Sequence, residues 1–324
     1  MSVLVTGAAG FIGYHVARAL LARGEEVYAF DNLNDYYSVE LKRARLAQLA
    51  AFPRFAFHEL DISDRDAVAA ALKRHQDTTG IIHLAAQAGV RYSLENPYAY
   101  VQSNVMAQVV LLEAARTLRH LENFVYASSS SVYGGNRKQP FSVADRVDQP
   151  VSLYAATKRS CELVAQSYCH LFQIPAIGLR FFTVYGPWGR PDMAAYLFAD
   201  AILAGRPIKV FNHGRMARDF TYIDDIVAGT VAALDRPPSE TPPHRVYNLG
   251  NHHPERLEHF IEVIEMALGR KAQKEYLPLQ AGDVPESYAD IDASRADLGF
   301  EPKTPIEVGI PRFIAWYKDY HKLP

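Results

Sequence analysis

The sequence predicts an α/β fold: a doubly wound parallel sheet with a smaller, partly interleaved C-terminal α/β unit. Three observations lead there. Through the first 180 positions, short apolar, β-branched runs alternate with segments of helical spacing, the pattern of a parallel sheet covered by helices on both faces. The first of these runs, VLVT at 3–6, leads directly into glycines at positions 7, 10 and 13. Past residue 183 the texture changes to Gly, Pro, Arg and aromatics, so a second unit begins there. At 324 residues the chain has room for about two domains of ~150 residues.

The elements follow in order. Residues 3–6 read as the first strand and 11–23 as the first helix, with Ile12, Val16, Ala19 and Leu20 at helical spacing. Residues 26–30, 55–60, 80–84 and 123–127 read as further strands with helices between them. Ser152 is the expected N-cap of a helix running to about residue 172, and 174–182 supplies another strand. A Pro-rich connector (DRPPSETPP) fills 235–243, and the tail carries helical stretches to residue 268 and over 305–317. The expected division is a sheet domain over 1–180, rejoined by 221–250, and a second domain over 181–324.

Composition narrows the function classes. Lys plus Arg number 34 against 36 Asp plus Glu, so no basic field points to nucleic acid or an anionic membrane as the main partner. No apolar run approaches the ~18 residues of a membrane span, and the start lacks a signal-peptide pattern, so a cytoplasmic protein is expected. Cys161 and Cys169 fall on one predicted helix, ~12 Å apart at 1.5 Å per residue, too far for a disulfide. They read as small buried hydrophobes. His252-His253 lacks metal-ligand spacing and reads as a solvated loop, and no metal is expected.

The glycine run G-x-x-G-x-x-G permits a tight turn and close approach to a diphosphate, while the helix that follows offers free N–H donors. Gly7, Gly10, Phe11, Ile12 and Gly13 are therefore candidate cofactor contacts. Asp31, with Asn32 beside it, closes the second strand 18 residues beyond Gly13. A carboxylate there accepts both hydroxyls of an adenosine ribose and repels a 2′-phosphate, which favours NAD over NADP. Asp61-Ile62, after the third strand, suits an adenine contact, or Asp61 simply faces solvent.

Tyr154 and Lys158 stand one helical turn apart on one face. Upstream, Ser128 to Ser131 follow a strand and so lie at the carboxyl edge of the sheet, where open parallel sheets bind ligands. A free tyrosine, with a pKa of about 10, is a poor base at neutral pH; a nearby ammonium and a positive nicotinamide favour the phenolate. The roles follow. Tyr154 removes a hydroxyl proton as the C–H hydride passes to NAD, Ser129 hydrogen-bonds the substrate oxygen, and Lys158 orients the ribose and lowers the tyrosine pKa.

GAAGFIG, the Ser cluster with VYG, YAATK and LRFFTVYGP, in this order, resemble the extended short-chain dehydrogenase/reductases that act on nucleotide sugars. The resemblance spans essentially the whole chain. It implies a Rossmann domain with bound NAD and a C-terminal domain for a nucleoside diphosphate sugar. It implies that Ser129 is the catalytic serine, that His83, Leu84, Ala85, Ala86, Gln87 and Asn104 surround the cofactor, and that Phe181 lies near the nicotinamide. Arg190 and Arg218 match diphosphate contacts, Lys209, Val210 and Phe211 the uracil segment, and Asp283 a ribose contact. The helices at 104–118 and 152–172 resemble a dimer-forming bundle, so a homodimer is expected.

The Ser cluster separates reactions. The 4,6-dehydratases of the family carry an Asp-Glu pair ahead of VYG and the UDP-glucuronate decarboxylases a Glu; here Ser130 and Ser131 stand at those positions. Elimination needs a general acid and base, which serine at its free pKa does not supply. Simple 4-epimerisation needs only the tyrosine and NAD. AAQAGVRYSLENP and TVYGPWGRPDMA resemble in particular the subgroup that epimerises UDP-glucuronate. Ser129, Ser130, Ser131 and Thr183 would present hydroxyl donors to the sugar carboxylate without a buried cation. Arg91 could meet that carboxylate, the diphosphate or a neighbouring acid. Two departures from the UDP-galactose 4-epimerases, Gln280 for a phosphate-binding Arg and Thr183 for an Asn, point the same way; small Ser287 leaves room for an N-acetyl group. UDP-glucose or UDP-N-acetylglucosamine epimerisation, decarboxylation and a non-catalytic NAD-binding paralogue are the competing readings.

Overall fold

In the computed structural model, which describes residues 1–280 and 284–323, six strands of the first 181 residues and one later strand build a seven-stranded parallel sheet. They are β1 (Ser2–Thr6), β2 (Glu26–Asp31), β3 (Phe55–Glu59), β4 (Gly80–His83), β5 (Asn123–Ser129), β6 (Ala176–Phe181) and, after three strands of the second unit, β10 (His244–Leu249). Their order is β3-β2-β1-β4-β5-β6-β10. The order reverses between β1 and β4, which opens a crevice at the carboxyl ends of those strands.

Alternation along each strand divides the core. In β1, Val3 and Val5 pack into one layer and Leu4 into the other; in β5, Val125 opposes Phe124 and Tyr126 in the same way. Helices Phe11–Ala22 and Ile223–Leu234 cover one face, and Arg65–Leu72, Ala107–Ala115 and Leu153–Phe172 the other. The strands expected at 3–6, 26–30, 55–60, 80–84 and 123–127 and the helices expected at 11–23 and 152–172 hold to within one or two residues, including Ser152 as N-cap, whose Oγ accepts from the Ala155 N–H; β10 and the helix Ile223–Leu234 were not anticipated. Cys161 and Cys169 are free and buried on that helix.

The second unit differs more from expectation. The strand expected at 174–182 is β6, which ends at Phe181. Just after it the sheet changes: the Phe182 N–H turns to the Leu249 carbonyl at 3.1 Å, and the chain continues as an unanticipated strand, β7 (Thr183–Tyr185), in a different sheet. That sheet centres on β9 (Ala217–Tyr222), which pairs in parallel with β7 and with β13 (Glu286–Ser287), and antiparallel with β11 (Pro254–Arg256). A separate parallel pair joins β8 (Ile208–Val210) to β12 (Lys274–Tyr276). The Gly- and Pro-rich texture of 183–220 hid β7, β8, β9 and the helix Ala194–Leu203; the later short strands and the seven-residue helix Asp292–Leu298 were missed because they are too short to show a period.

Two buried charges act as staples, Arg45 between the units and Asp219 within the second. Arg45 is fully buried and donates to the Ala9 carbonyl in the glycine turn, to Tyr37 Oη, and to the Trp188 carbonyl in the second unit, at 2.7–2.8 Å. Asp219, also fully buried, accepts the N–H groups of Asn251, His252 and Ala289 and the Thr221 hydroxyl. It thereby ties β9 to the exposed His252-His253 loop and the segment after β13. Such charges persist in a core only when their hydrogen bonds are met. Among the described residues no helix is long and apolar enough to cross a membrane.

Candidate active site

The crevice widens into a single cleft of about 1040 Å³ between the sheet edge and the second unit. That reaches the upper end of the ~300–1,000 Å³ usual for small-molecule sites and gives room for two ligands side by side. Its first half is built from backbone. Gly7 adopts φ +73°, and a Cβ on Gly13 would meet the Gly7 carbonyl oxygen at 2.0 Å, so the turn closes only with glycine at both positions. The helix Phe11–Ala22 begins at Gly10 with no side-chain cap and no acid in its first turn, which leaves its leading N–H groups for an anion.

Asp31, at the end of β2, is 9% exposed. One carboxylate oxygen accepts from the Ala9 N–H at 3.1 Å and the other from the Leu33 N–H at 2.9 Å. Burial pushes its pKa up despite these bonds. A carboxylate has about four acceptor positions, so capacity remains for a ribose diol. Asp61 accepts from Asn32 and from the Ser63 N–H and hydroxyl. Burial opposes its charge, but those bonds outweigh it and hold the pKa below the usual range. Ile62, Leu84, Ala85, Ala86 and Gln87 line the same half. His83 stands behind them, bonded to Thr6 Oγ1 at 2.7 Å and pushed down to about 3 by burial and by the charge of Lys158, so it stays neutral.

Tyr154 and Lys158 face the cleft from the helix Leu153–Phe172. Lys158 is buried, and its Nζ donates to the Ala127 carbonyl at 2.9 Å, which fixes the helix against the end of β5. Tyr154 sits edge-on to Tyr100 at 6.0 Å. Ser129 Oγ accepts from the Ser131 N–H and donates to Ser131 Oγ, both at 3.1 Å, so the two hydroxyls form one pair at the cleft wall. Ser130, Phe181 and Thr183 line the wall beside them. Three acids line the cleft among the described residues, and all are already engaged: Asp31, Asp61 and Asp192. None is an uncommitted general acid or base for elimination.

The second half is made of separate pieces. Arg190 forms a two-point pair with Asp192, at 3.0 and 2.5 Å, and Tyr36 Oη donates to the same carboxylate at 3.1 Å. Burial pushes the Asp192 carboxyl up, but the Arg190 charge outweighs it and holds it below the usual range. Arg91 lies over the Phe211 ring at 5.0 Å, bridging the loop after β4 to the segment after β8. Arg218 donates to the Ala217 and Pro285 carbonyls, and Lys209, Gln280 and Ser287 complete this wall.

Residues 3–250 match the model of the NAD dependent epimerase/dehydratase family. The chain belongs to that family. It is 47% identical to a probable UDP-glucuronate 4-epimerase of Rhizobium meliloti, over 99% of this chain and 98% of that one. It is 47% identical to UDP-glucuronate 4-epimerase 4 of Arabidopsis thaliana, over 99% of this chain and 76% of that one. Its fold superposes on the crystal structure of a UDP-glucuronic acid 4-epimerase from Bacillus cereus, solved with UDP-glucuronic acid and NAD. The TM-score is 0.89 at 35% identity, covering 99% of this chain and all of that one. The resemblance drawn from the motifs is borne out, and so are the α/β class and the NAD-dependent enzyme.

The residues of the first half fit NAD: a diphosphate at the glycine turn and helix start, a ribose at Asp31. Two expected contacts lie behind the wall. Asn104 is buried and holds Gln87 through its N–H and carbonyl, and Thr157 through its hydroxyl, so it braces the lining. It sits in a π-helical turn, Val101–Met106, a distortion frequent near functional sites. Val210 is fully buried because alternation along β8 turns Lys209 outward and its neighbours inward. Asp283 lies outside the described residues. Sequence reasoning missed Lys42, which lines the cleft and bonds Asn34 twice, and the Tyr36–Asp192 contact. Neither has a local motif; only the packing of the helix Val39–Leu49 and the loop before it brings them in.

Proposed function

We propose that the protein is a UDP-glucuronate 4-epimerase that interconverts UDP-glucuronate and UDP-galacturonate. The observation that carries this reading is the Ser129–Ser131 hydroxyl pair on a cleft wall that Ser130, Thr183 and Tyr154 also line, with hydroxyls where elimination or decarboxylation chemistry places a carboxylate. The glycine turn, the start of the helix Phe11–Ala22 and Asp31 would hold NAD, which would supply a hydride acceptor and donor for C4 of the sugar. Tyr154 removes the C4 hydroxyl proton and later returns it, Lys158 orients the ribose of the cofactor, and Ser129 donates to the C4 oxygen. The hydroxyl corner holds the sugar carboxylate while the 4-keto sugar turns over. Arg190 and Arg218 take the diphosphate, because planar guanidiniums match phosphate oxygens, and Phe211 with Lys209 takes the uracil.

A homodimer belongs to the same proposal. Met106, Leu163, Leu171 and Phe172 are 41–65% exposed on or beside helices of the sheet's outer face, an apolar surface for a second copy. So does a cytoplasmic setting, where two buried free thiols stay reduced. Incubation of the purified protein with UDP-glucuronate and, in parallel, UDP-glucose, read by proton NMR, tests the reaction. UDP-galacturonate from the first with little product from the second is expected. UDP-galactose as the main product would overturn the uronate assignment, and a monomeric mass in solution would overturn the dimer.

A further inference from the structure

Behind the hydroxyl corner lies an ion pair that the mechanism above does not use. Glu162 and Arg180 are 1% and 3% exposed and meet through two bonds, Arg180 Nε to Oε1 at 2.8 Å and Nη2 to Oε2 at 2.9 Å. Glu162 follows Tyr154 and Lys158 at the i, i+4, i+8 spacing of one helix face. Its Oε1 also accepts the Ser128 hydroxyl at 2.6 Å, while Lys158 holds the carbonyl of the preceding residue, Ala127. One helix face thus grips two consecutive residues of β5, immediately before Ser129.

The pair reaches the other segments as well. Arg180 Nη1 donates to Tyr133 Oη at 3.0 Å, and Tyr133 donates to Asn248 Oδ1 at 2.7 Å. Tyr133 closes the turn Ser130–Tyr133, which carries Ser130 and Ser131. Arg180 itself lies three residues before Thr183, on the strand that ends at Phe181. Asn248 anchors β10 to the Phe141 and Asp290 carbonyls at 2.8 and 2.9 Å. Burial opposes the Glu162 charge, yet the bonds and charge of Arg180 prevail and keep its pKa below the usual range, so the hub stays ionised. The strand that supplies Ser129, the turn that supplies Ser130 and Ser131, and the helix that supplies Tyr154 are tied to this one pair, and Thr183 follows Arg180 by three residues along the chain.

We infer that Glu162 and Arg180 form a positioning hub that keeps the hydroxyl corner aligned with Tyr154 and thereby decides the fate of the oxidised sugar. The inference rests on the UDP-glucuronate reading. Oxidation at C4 makes the sugar a β-keto acid. If the carboxylate swings out of its corner, the C5–C6 bond can break: CO₂ leaves, the bonding electron pair passes into a C4–C5 enolate, and C5 then takes a proton from a cleft hydroxyl or water. Reduction of the C4 ketone with the electrons withdrawn in the first step yields a UDP-pentose, and no further oxidant or reductant is required. A corner held in register denies the carboxylate that swing.

The test is the product ratio of variants that fold. Ser128→Ala cuts the link from the hub to β5 and leaves the ion pair whole. Glu162→Gln keeps the shape and removes the charge. Arg159→Ala removes only the half-exposed third partner of Glu162, which bonds Oε2 at 2.8 Å, and serves as the control. Each is incubated with UDP-glucuronate, with products read by proton NMR, kcat and KM measured separately, and Tm recorded. Expected for Ser128→Ala is a kcat lowered by about 10- to 100-fold, the scale of a sub-ångström to ångström misplacement, with KM within about threefold and UDP-pentose appearing beside UDP-galacturonate. Arg159→Ala should match the parent. A residue that served the fold alone would lower Tm and leave the product ratio unchanged. Parent-like kcat and products from folded Ser128→Ala overturn the hub, even if Glu162→Gln does not fold. Failure of the parent to make UDP-galacturonate overturns the proposed function instead.

Discussion

The two halves of the cleft are built by different means. The cofactor half uses main-chain groups at the ends of adjacent strands: the turn at Gly7 to Gly13, a helix N-terminus, and Asp31 locked to the Ala9 and Leu33 N–H groups. The sugar-nucleotide half uses side chains gathered from the loop after β4, the loop after β7, the segment after β8 and strand β9. The first is a local structure that one stretch of sequence specifies; the second exists only once β9 has collected its three partner strands. Backbone sites are therefore broken by a change of shape, side-chain sites by a change of chemistry.

The largest effect is expected where the halves meet. Tyr154→Phe removes the hydroxyl without disturbing the ring contact with Tyr100, and kcat should fall about 10²–10⁴-fold, as for loss of a general acid–base group. Bound NAD should remain at the parent level, measured by release on denaturation and absorbance. Retained turnover would remove Tyr154 from the mechanism.

Next, Gly13→Ala should break the cofactor half alone. The new Cβ would clash with the Gly7 carbonyl oxygen, so about 1–3 kcal/mol of stability is lost with most of the bound NAD. Thermal melting and NAD content check this, while UDP binding by calorimetry should change little. Arg190→Lys should break the other half alone. It exchanges a planar fork for a point charge, and a KM raised by about tenfold, ~1.4 kcal/mol, is expected with NAD content unchanged. If Arg190→Lys instead released NAD, the two halves would share this residue and the division drawn between them would be wrong.

The smallest effect sharpens the comparison at the rim of the second unit. His259 on the helix Leu257–Leu268 bonds Glu307 on the helix Ile306–Tyr320 at 2.8 Å. The hydrogen bond to Glu307 raises the His259 pKa above 6.5, and the same bond lowers that of Glu307 below 4.5. The histidine contribution is whole below pH 6.5 and fades as pH rises through the raised value; the glutamate contribution is whole above pH 4.5 and fades as pH falls through the lowered one. The pair thus stabilises most between those limits. Both side chains are exposed, so solvent screening leaves about 0.5 kcal/mol or less. Melting of the parent and His259→Gln at pH 5.5 and 8.5 should show that small gap at the lower pH and none at the higher.

Legibility followed the same divide. The glycine turn, Asp31, and the Tyr154–Lys158 pair were readable because each is fixed by spacing within one element, and the structure sets them on one cleft. Arg45 and Glu162 carried no such signal, since a buried ion is recognised only by what surrounds it. Asn104 and Val210 were placed at the site by resemblance, and the structure seats both one layer back. The change of sheet at Phe182 was invisible because residues on both sides of it suit a strand; only the pull of the Leu249 carbonyl and of β9 decides where one sheet yields to the other.

The sequence by itself determined the parallel sheet, its helices, the dinucleotide turn and the helix that carries Tyr154. Those features rest on hydrophobic period, glycine spacing and capping, which act over a few residues. The tertiary structure alone decided which charges face the cleft, which are spent inside as staples, and how hydroxyls from β5, the turn after it and β7 come to line one cleft. Such arrangements depend on burial and on partners distant in the chain, and a charge costs or contributes free energy only according to the company the fold gives it.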